Sequence, residues 1–132
     1  MNTIVRVAVI SVGVLNLILG LAFLARPELM AEMFYITPLG SQGLATIRAD
    51  FPGFFLTGGG FALFGAWTLN PEALKVPIAL LSIALFGRFV SLIFDGVGVS
   101  ALPPMVAEAV MIGVLVAGIR SCPKVPGKGQ IL

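Results

Sequence analysis

Four long apolar stretches follow one another along the chain, at residues 3–25, 43–69, 73–94 and 104–119. Helices of about this length cross the hydrocarbon core of a bilayer, which is about 30 Å thick. The residues between the stretches carry helix-ending and turn signals, at positions 26–27, 70–71 and 95–96. The pattern predicts an all-α protein, an integral membrane four-helix bundle.

A shorter segment after the first stretch predicts an interfacial helix. Pro27 stands at its first turn and Glu28 near its start, where proline and an acid are both favoured. Apolar residues at 29, 30, 33 and 34 would let it lie at the membrane surface. The first stretch itself has features of a signal peptide, but it is too long for the apolar region of one. We therefore interpret it as a spanning helix.

The composition agrees with a membrane protein. Of the 132 residues, 58% are hydrophobic and 11% are charged, and the mean hydropathy is +1.09. In a soluble domain about a quarter of the residues are charged. We expect one membrane domain over residues 1–121 and a polar tail over residues 122–132. The net charge of +2 is too small to predict binding to nucleic acid.

Cysteine and histidine are almost missing from the sequence. Cys122 is the one cysteine and there is no histidine. An internal disulfide is therefore excluded, and so are the common zinc and haem sites and Cys–His nucleophiles. We expect neither a metal nor a cofactor.

Positive charge is unevenly distributed between the two ends of the predicted bundle. Four spans put both termini on one side, and that side holds one acid, Glu72. By the positive-inside rule the terminal side is cytoplasmic, which predicts a multi-pass membrane protein and, in a bacterium, a place in the inner membrane. The cations of that side are Arg6, Lys75, Arg120, Lys124 and Lys128.

Ionisable residues inside three of the spans form the candidate site, because charge at membrane depth is costly and normally faces the interior of a bundle. Arg88, Ser91 and Asp95 are spaced by three and four residues, so they share one face of the third helix. Glu108 comes early in the fourth helix, where the helix dipole favours a carboxylate. The predicted binding residues are Arg48, Asp50, Arg88, Ser91, Asp95 and Glu108.

The second helix contributes Arg48 and Asp50 to this set. They point about 160° apart on a regular helix, so they cannot both face one partner. Pro52 and Gly53 follow at once and predict a kink or an unwound turn. If the five charges meet, pairing of acids with arginines leaves one acid over. That acid either lies in water or carries a proton.

Small residues predict where the helices approach closely. In lipid, small side chains at a spacing of three or four residues let two backbones come together. Such a face lies on the first helix, where Asn16 is also expected to make an interhelical hydrogen bond, and another lies on the second helix. The residues are Gly13, Asn16 and Gly20, and then Gly58, Ala62 and Ala66.

Two segments resemble the signatures of a known family. Residues 47–53 are similar to an Arg-x-x-aromatic-Gly-Gly motif, and residues 87–96 to a Gly-Arg-led helix that ends in Asp-Gly. Nearly the whole chain resembles domain of unknown function 4345, a group of small four-helix bacterial membrane proteins, although Pro52 stands where that family often has Gly. The resemblance implies four helices and no known activity. The polar set it implies is Arg48, Arg88, Asp95 and Glu108.

Three functions stay open at this point. The first is an accessory or binding subunit whose charged cluster braces the bundle beside a pocket for a lipid or another apolar molecule. It would act alone, as a homo-oligomer or in a larger membrane complex. The second is a small membrane enzyme of the isomerase or hydrolase type, with Glu108 or Asp95 as its acid or base. The third is ion or proton passage through an oligomer.

Overall fold

The computed structural model describes residues 1–123, and these residues form helices and turns without a strand. Most of the predicted polar tail, at 124–132, lies outside the described residues. A short 3-10 turn, Val99–Ala101, precedes the last helix. The helices are α1 (Thr3–Ala25), α2 (Pro27–Met33), α3 (Gly40–Thr68), α4 (Pro71–Phe94) and α5 (Leu102–Ser121).

Side-chain caps begin two of the long helices. The Asn2 side chain accepts a hydrogen bond from the backbone N–H of Val5 at 2.9 Å, and so opens α1. The Asn70 side chain accepts one from the N–H of Glu72 at 3.0 Å and opens α4. Each bond satisfies a backbone donor that has no partner inside its helix. The sequence signal at 70–71 is thereby confirmed as a helix start.

Left-handed residues end two helices. Tyr35 has φ 59° and Leu69 has φ 54°, values that normally favour glycine. After α2, the N–H of Ile36 returns to the carbonyl of Ala31 at 2.8 Å. This bond belongs to the Schellman motif, which satisfies carbonyls at a helix end. The motif reverses the chain tightly between α2 and α3, and this keeps α2 close to the bundle.

The helix α3 continues unbroken through Pro52, so the predicted unwound turn at this position is wrong. Proline lacks an N–H, and the carbonyl of Arg48 therefore loses its helical partner. Ile47 and Phe55 on either side of the proline are both buried in one apolar cluster. Packing on both sides therefore holds the helical path across the missing bond.

The helices pack around two apolar clusters. α1 contacts α3 and α5, α4 also contacts α3 and α5, and α2 lies on α1 and α3. One cluster lies toward the chain termini and includes Val9, Leu74 and Leu115. The other lies toward α2 and includes Phe23 and Phe55. The space between these clusters contains the site described below.

The closest helix contact joins α1 and α3 through glycine. A Cβ added at Gly59 would lie 2.7 Å from the carbonyl oxygen of Gly13. At Gly20 an added Cβ would lie 2.7 Å from Leu56. Ala62 and Ala66 continue the buried face of α3. The predicted face of α1 is confirmed at Gly13 and Gly20, whereas on α3 it is Gly59 that approaches α1 closely and Gly58 faces Pro77 and Leu80 of α4.

Three helices of the described chain are long and apolar enough to cross a membrane: α1, α4, and α5 with its preceding turn. Many large apolar side chains on them are exposed, among them Ile18, Phe86 and Ile93. A lipid-facing surface accounts for this exposure, and the chain is a multi-pass membrane protein. α3 carries two charges and a run of glycines, and its passage across the membrane stays a prediction.

Two neighbouring glycines give a matched test of the α1–α3 contact. Gly59→Ala is expected to lower the free energy of unfolding by about 1–3 kcal/mol, because the methyl group must push the backbone of α1 away. Gly60→Ala has open space around its Cβ and is expected to be neutral or stabilising by up to about 1 kcal/mol. Unfolding in mixed detergent micelles measures both changes, and equal values would contradict the close contact.

Candidate functional site

Arg88 of α4 and Glu108 of α5 form an ion pair. The Nε–H of Arg88 donates to Oε1 of Glu108 at 2.9 Å. The side chain of Glu108 is 11% exposed, and that of Arg88 is 36% exposed. A charge-assisted hydrogen bond is stronger than a neutral one, and less water is present inside the protein to compete for it. The pair therefore links α4 to α5. Apolar contacts alone would favour no particular pairing of side chains at this point.

The second carboxyl oxygen of Glu108 is buried without a partner. Oε2 has no hydrogen bond to any atom of residues 1–123. Glu108 lies in the second turn of α5. A buried acceptor without a partner costs free energy. Buried polar atoms normally have a partner, so this oxygen is a candidate for contact with a ligand.

A cavity of about 420 Å³ lies beside this pair. Residues from the four long helices line it together with Phe34, which follows α2, and its walls are apolar except at Asp50, Arg88 and Glu108. The cavity is a cleft rather than an enclosed space, and much of its surface is open to the surroundings of the protein. Its largest apolar lining residues include Leu15, Leu19, Phe54, Phe55, Leu81 and Met111.

An outer groove of about 930 Å³ adjoins the cavity. It lies between the end of α2, the last turns of α4 and the start of α5, and it is more polar because Ser91 and Ser100 line it. The groove and the cavity share Phe34, Ala84, Arg88 and Pro104 as lining residues. Arg88 therefore stands at the junction of the two, with the polar groove on one side and the apolar cavity on the other.

Stacked aromatic rings support the wall of the cavity. Phe23 stacks on Phe51 with ring centroids 4.5 Å apart, and on Phe55 at 5.7 Å. Phe34 meets Phe23 edge to face at 5.0 Å. Aromatic pairs in these arrangements add stability beyond that of their buried area. The sequence analysis did not include these rings in the site, although the aromatic run beside Pro52 was a usable signal.

Asn16 connects the opposite wall. It is buried, and its side-chain N–H donates to the carbonyl of Val12 at 2.8 Å and to the sulfur of Met111 at 3.6 Å. The contact with Met111 joins α1 to α5, as the sequence predicted for this asparagine. Sulfur is a weak acceptor, so the contact orients Met111 more than it stabilises the bundle. Met111 in turn lines the cavity.

The structure brings two of the five charges of the predicted cluster into contact. Arg48 and Asp95 are exposed, line neither the cavity nor the groove, and make no ion pair within residues 1–123. Asp95 is the residue at which α4 ends. The expectation of one five-charge cluster is therefore corrected to an ion pair with Asp50 nearby. The reason is helix length: seven residues beyond Arg88 is two turns of rise, which carries Asp95 out of the bundle.

Two other predicted residues lie close to the ion pair. Asp50 lines the cavity and is exposed, and Ser91 lines the outer groove. Neither makes a side-chain hydrogen bond to Arg88 or Glu108. Across the described part of the chain, no three Asp, Glu, His or Cys side chains lie close enough to hold a metal ion.

Comparisons with family models, with curated proteins and with solved structures give no match to this chain. The resemblance of residues 47–53 and 87–96 to domain of unknown function 4345 accordingly stays a prediction.

Arg88→Ala is expected to lower the stability of the protein in detergent by on the order of 2 kcal/mol. The substitution leaves Glu108 as a buried charge without a partner, and the partial exposure of Arg88 keeps the loss below that of a fully buried pair. Lowering the pH is expected to recover part of the loss, because a protonated carboxyl has no charge to bury. Thermal unfolding measures both effects.

Arg48→Ala is the matched control for that substitution. Arg48 is exposed and unpaired within the described residues, so its loss is expected to change stability by less than about 0.5 kcal/mol. The double variant Arg88→Ala, Glu108→Gln is expected to be more stable than Arg88→Ala alone, since the orphaned charge is gone. Equal melting temperatures for Arg48→Ala and Arg88→Ala would show that the ion pair contributes nothing.

Proposed function

We propose that this protein binds a lipid or another apolar molecule in the cavity between its helices. The observation that carries the proposal is the cavity itself, about 420 Å³ in volume, with apolar walls and an ion pair among its lining residues. Small-molecule sites typically measure about 300–1,000 Å³ and combine apolar walls with few polar groups. An accessory or binding protein is the function that these properties support best.

The place of the cavity in the membrane supports a ligand that arrives from the bilayer. We propose that all four long helices cross a bacterial inner membrane with both termini in the cytoplasm. Under that orientation the cavity lies in the periplasmic half, close to the surface helix α2. Toward the cytoplasm the helices are closed by Val9, Leu74 and Leu115, none of which is exposed. This apolar closure argues against an ion path through a single chain.

Purification in a mild detergent tests the proposal directly. Solvent extraction of the monodisperse protein, followed by mass spectrometry, is expected to recover an apolar compound in a stoichiometric amount. A homo-oligomer or a membrane-protein partner would be detected in the same preparation by native mass spectrometry. Protein that carries no apolar compound, and takes none up from an added lipid extract, would refute the binding function.

Ala84→Phe is expected to reduce ligand uptake at least tenfold. Ala84 lies at the junction of groove and cavity, and a phenyl ring there would occupy the entrance. Ala79→Phe is the matched control on the same helix, because Ala79 is exposed and lines neither space. Uptake of extracted lipid by both purified variants is the measurement. Equal uptake would place the ligand elsewhere on the protein.

A membrane enzyme is the second candidate, and the unpartnered oxygen of Glu108 is the observation that favours it. A carboxyl group beside an apolar cavity can act as general acid or base in an isomerisation or hydration. Glu108→Gln keeps an acceptor for Arg88 and removes the ionisable group. The enzyme hypothesis expects the wild type to convert a component of a lipid extract and Glu108→Gln to bind that component unchanged. Absence of conversion by the wild type would remove this candidate.

A further inference from the structure

We infer that the ligand is a neutral amphiphile whose oxygen atom accepts a hydrogen bond from Arg88 while its apolar chain fills the cavity. The inference rests on the proposed binding function and adds the chemical class of the ligand. Three observations carry it: the free donors of Arg88, the charges that surround them, and the division of the site into a polar groove and an apolar cavity.

The guanidinium group of Arg88 has N–H donors that make no hydrogen bond within residues 1–123. A guanidinium group carries five N–H donors, and within residues 1–123 only the Nε–H is engaged, by Glu108 at 2.9 Å. The Arg88 side chain is 36% exposed and lines both the groove and the cavity. In an apolar setting an unsatisfied charged donor costs more than a neutral one. A ligand that brings an acceptor oxygen to this junction removes that cost.

The surrounding charges decide which acceptor suits the site. Glu108 already balances the charge of Arg88, and Asp50 adds a negative charge on the same cavity. An anionic headgroup would add a further negative charge in a low-dielectric space, where repulsion between like charges is strong. A cationic headgroup would be repelled by Arg88 and would supply no acceptor. A neutral carbonyl, ester or hydroxyl oxygen accepts from Arg88 and changes no charge.

The shape of the site orients the molecule. The cavity beyond Arg88 is walled by apolar side chains such as Leu15, Phe54 and Leu81, which suit a hydrocarbon chain. The groove before Arg88 holds Ser91 and Ser100, which suit the more polar end. An amphiphile would therefore lie with its chain inward, its oxygen at Arg88 and any further polar atoms in the groove.

A competition among three compounds of equal chain length tests the inference. The purified protein in detergent is incubated with an equimolar mixture of an n-alkane, the corresponding methyl ketone and the corresponding alkyl sulfonate, which is a permanent anion. Each compound in the protein fraction is quantified by mass spectrometry. Ala84→Phe in the same detergent provides the blank for compounds held by the micelle. We expect the ketone to be retained about tenfold more than the alkane, as one hydrogen bond to a charged donor implies, and the sulfonate least.

The outcomes separate the inference from the function on which it rests. If wild type and Ala84→Phe retain the same amounts of all three compounds, none of them binds in this cavity, so the proposed binding at this site fails and the inference fails with it. If the wild type retains more than the blank but takes alkane and ketone equally, the function stands and the inference is wrong. Preferred retention of the sulfonate would also overturn it, in favour of an acidic ligand.

A second measurement locates the hydrogen bond at Arg88. Acceptance of a hydrogen bond lowers the stretching frequency of the ketone carbonyl, so the infrared band of the bound ketone is expected to shift downward from its position in empty micelles. The double variant Arg88→Met, Glu108→Met removes the pair without leaving a charge, and it is expected to lose this shift while it still retains alkane. Arg48→Met is the control that keeps the shift. An unshifted band in the wild type overturns the inference whether or not the double variant folds.

Discussion

Helices in a membrane gain little by burying apolar side chains against one another, because lipid is equally apolar. The structure depends on how this constraint is met along each helix contact. Between α1 and α3, glycines bring the backbones so close that an added Cβ at Gly59 would lie 2.7 Å from the carbonyl of Gly13. Close packing over a long contact replaces the missing hydrophobic drive. This pair of helices is the rigid part on which α2 and the aromatic cluster rest.

The contact between α4 and α5, on the opposite side of the bundle, is stabilised in a different way. Arg88 and Glu108 join the last turns of α4 to the second turn of α5, and large side chains line the space beside them. Space remains between the α4–α5 pair and the α1–α3 pair, and this space is the cavity. The cavity exists because the two sides pack differently. Glycines let α1 and α3 come into close contact, whereas the leucine, phenylalanine and methionine side chains that line the cavity leave space between the helix pairs. Close helix packing and a cavity therefore occur together in this chain.

The ion pair has two physical roles that cannot be separated by geometry alone. It stabilises the α4–α5 contact, and it places a guanidinium with unused donors at the mouth of an apolar space. The same low dielectric that strengthens the bond to Glu108 makes the unused donors and the unpartnered Oε2 costly. Under the proposed binding function, an acceptor oxygen on the ligand would relieve this cost at the donors of Arg88, and the stability of the pair would then be linked to the affinity for the ligand.

The sequence by itself determined the all-α class and the start of α4, where Asn70 caps the helix that begins at Pro71. It also determined the charged residues from which the site is drawn. Hydrophobic periodicity, capping residues and charges within apolar stretches are all local signals. The sequence also indicated that Asn16 makes an interhelical hydrogen bond and that small residues allow close helix contacts. Tertiary structure alone decided that Arg88 pairs with Glu108 while Arg48 and Asp95 stay exposed, since that depends on helix rotation and length. It also decided that α3 stays helical at Pro52, because packing on both sides outweighs one lost hydrogen bond. The sequence suggested a pocket beside the charged residues, but its lining and volume were decided by the structure, because a space between helices is a property of their packing and of no single segment.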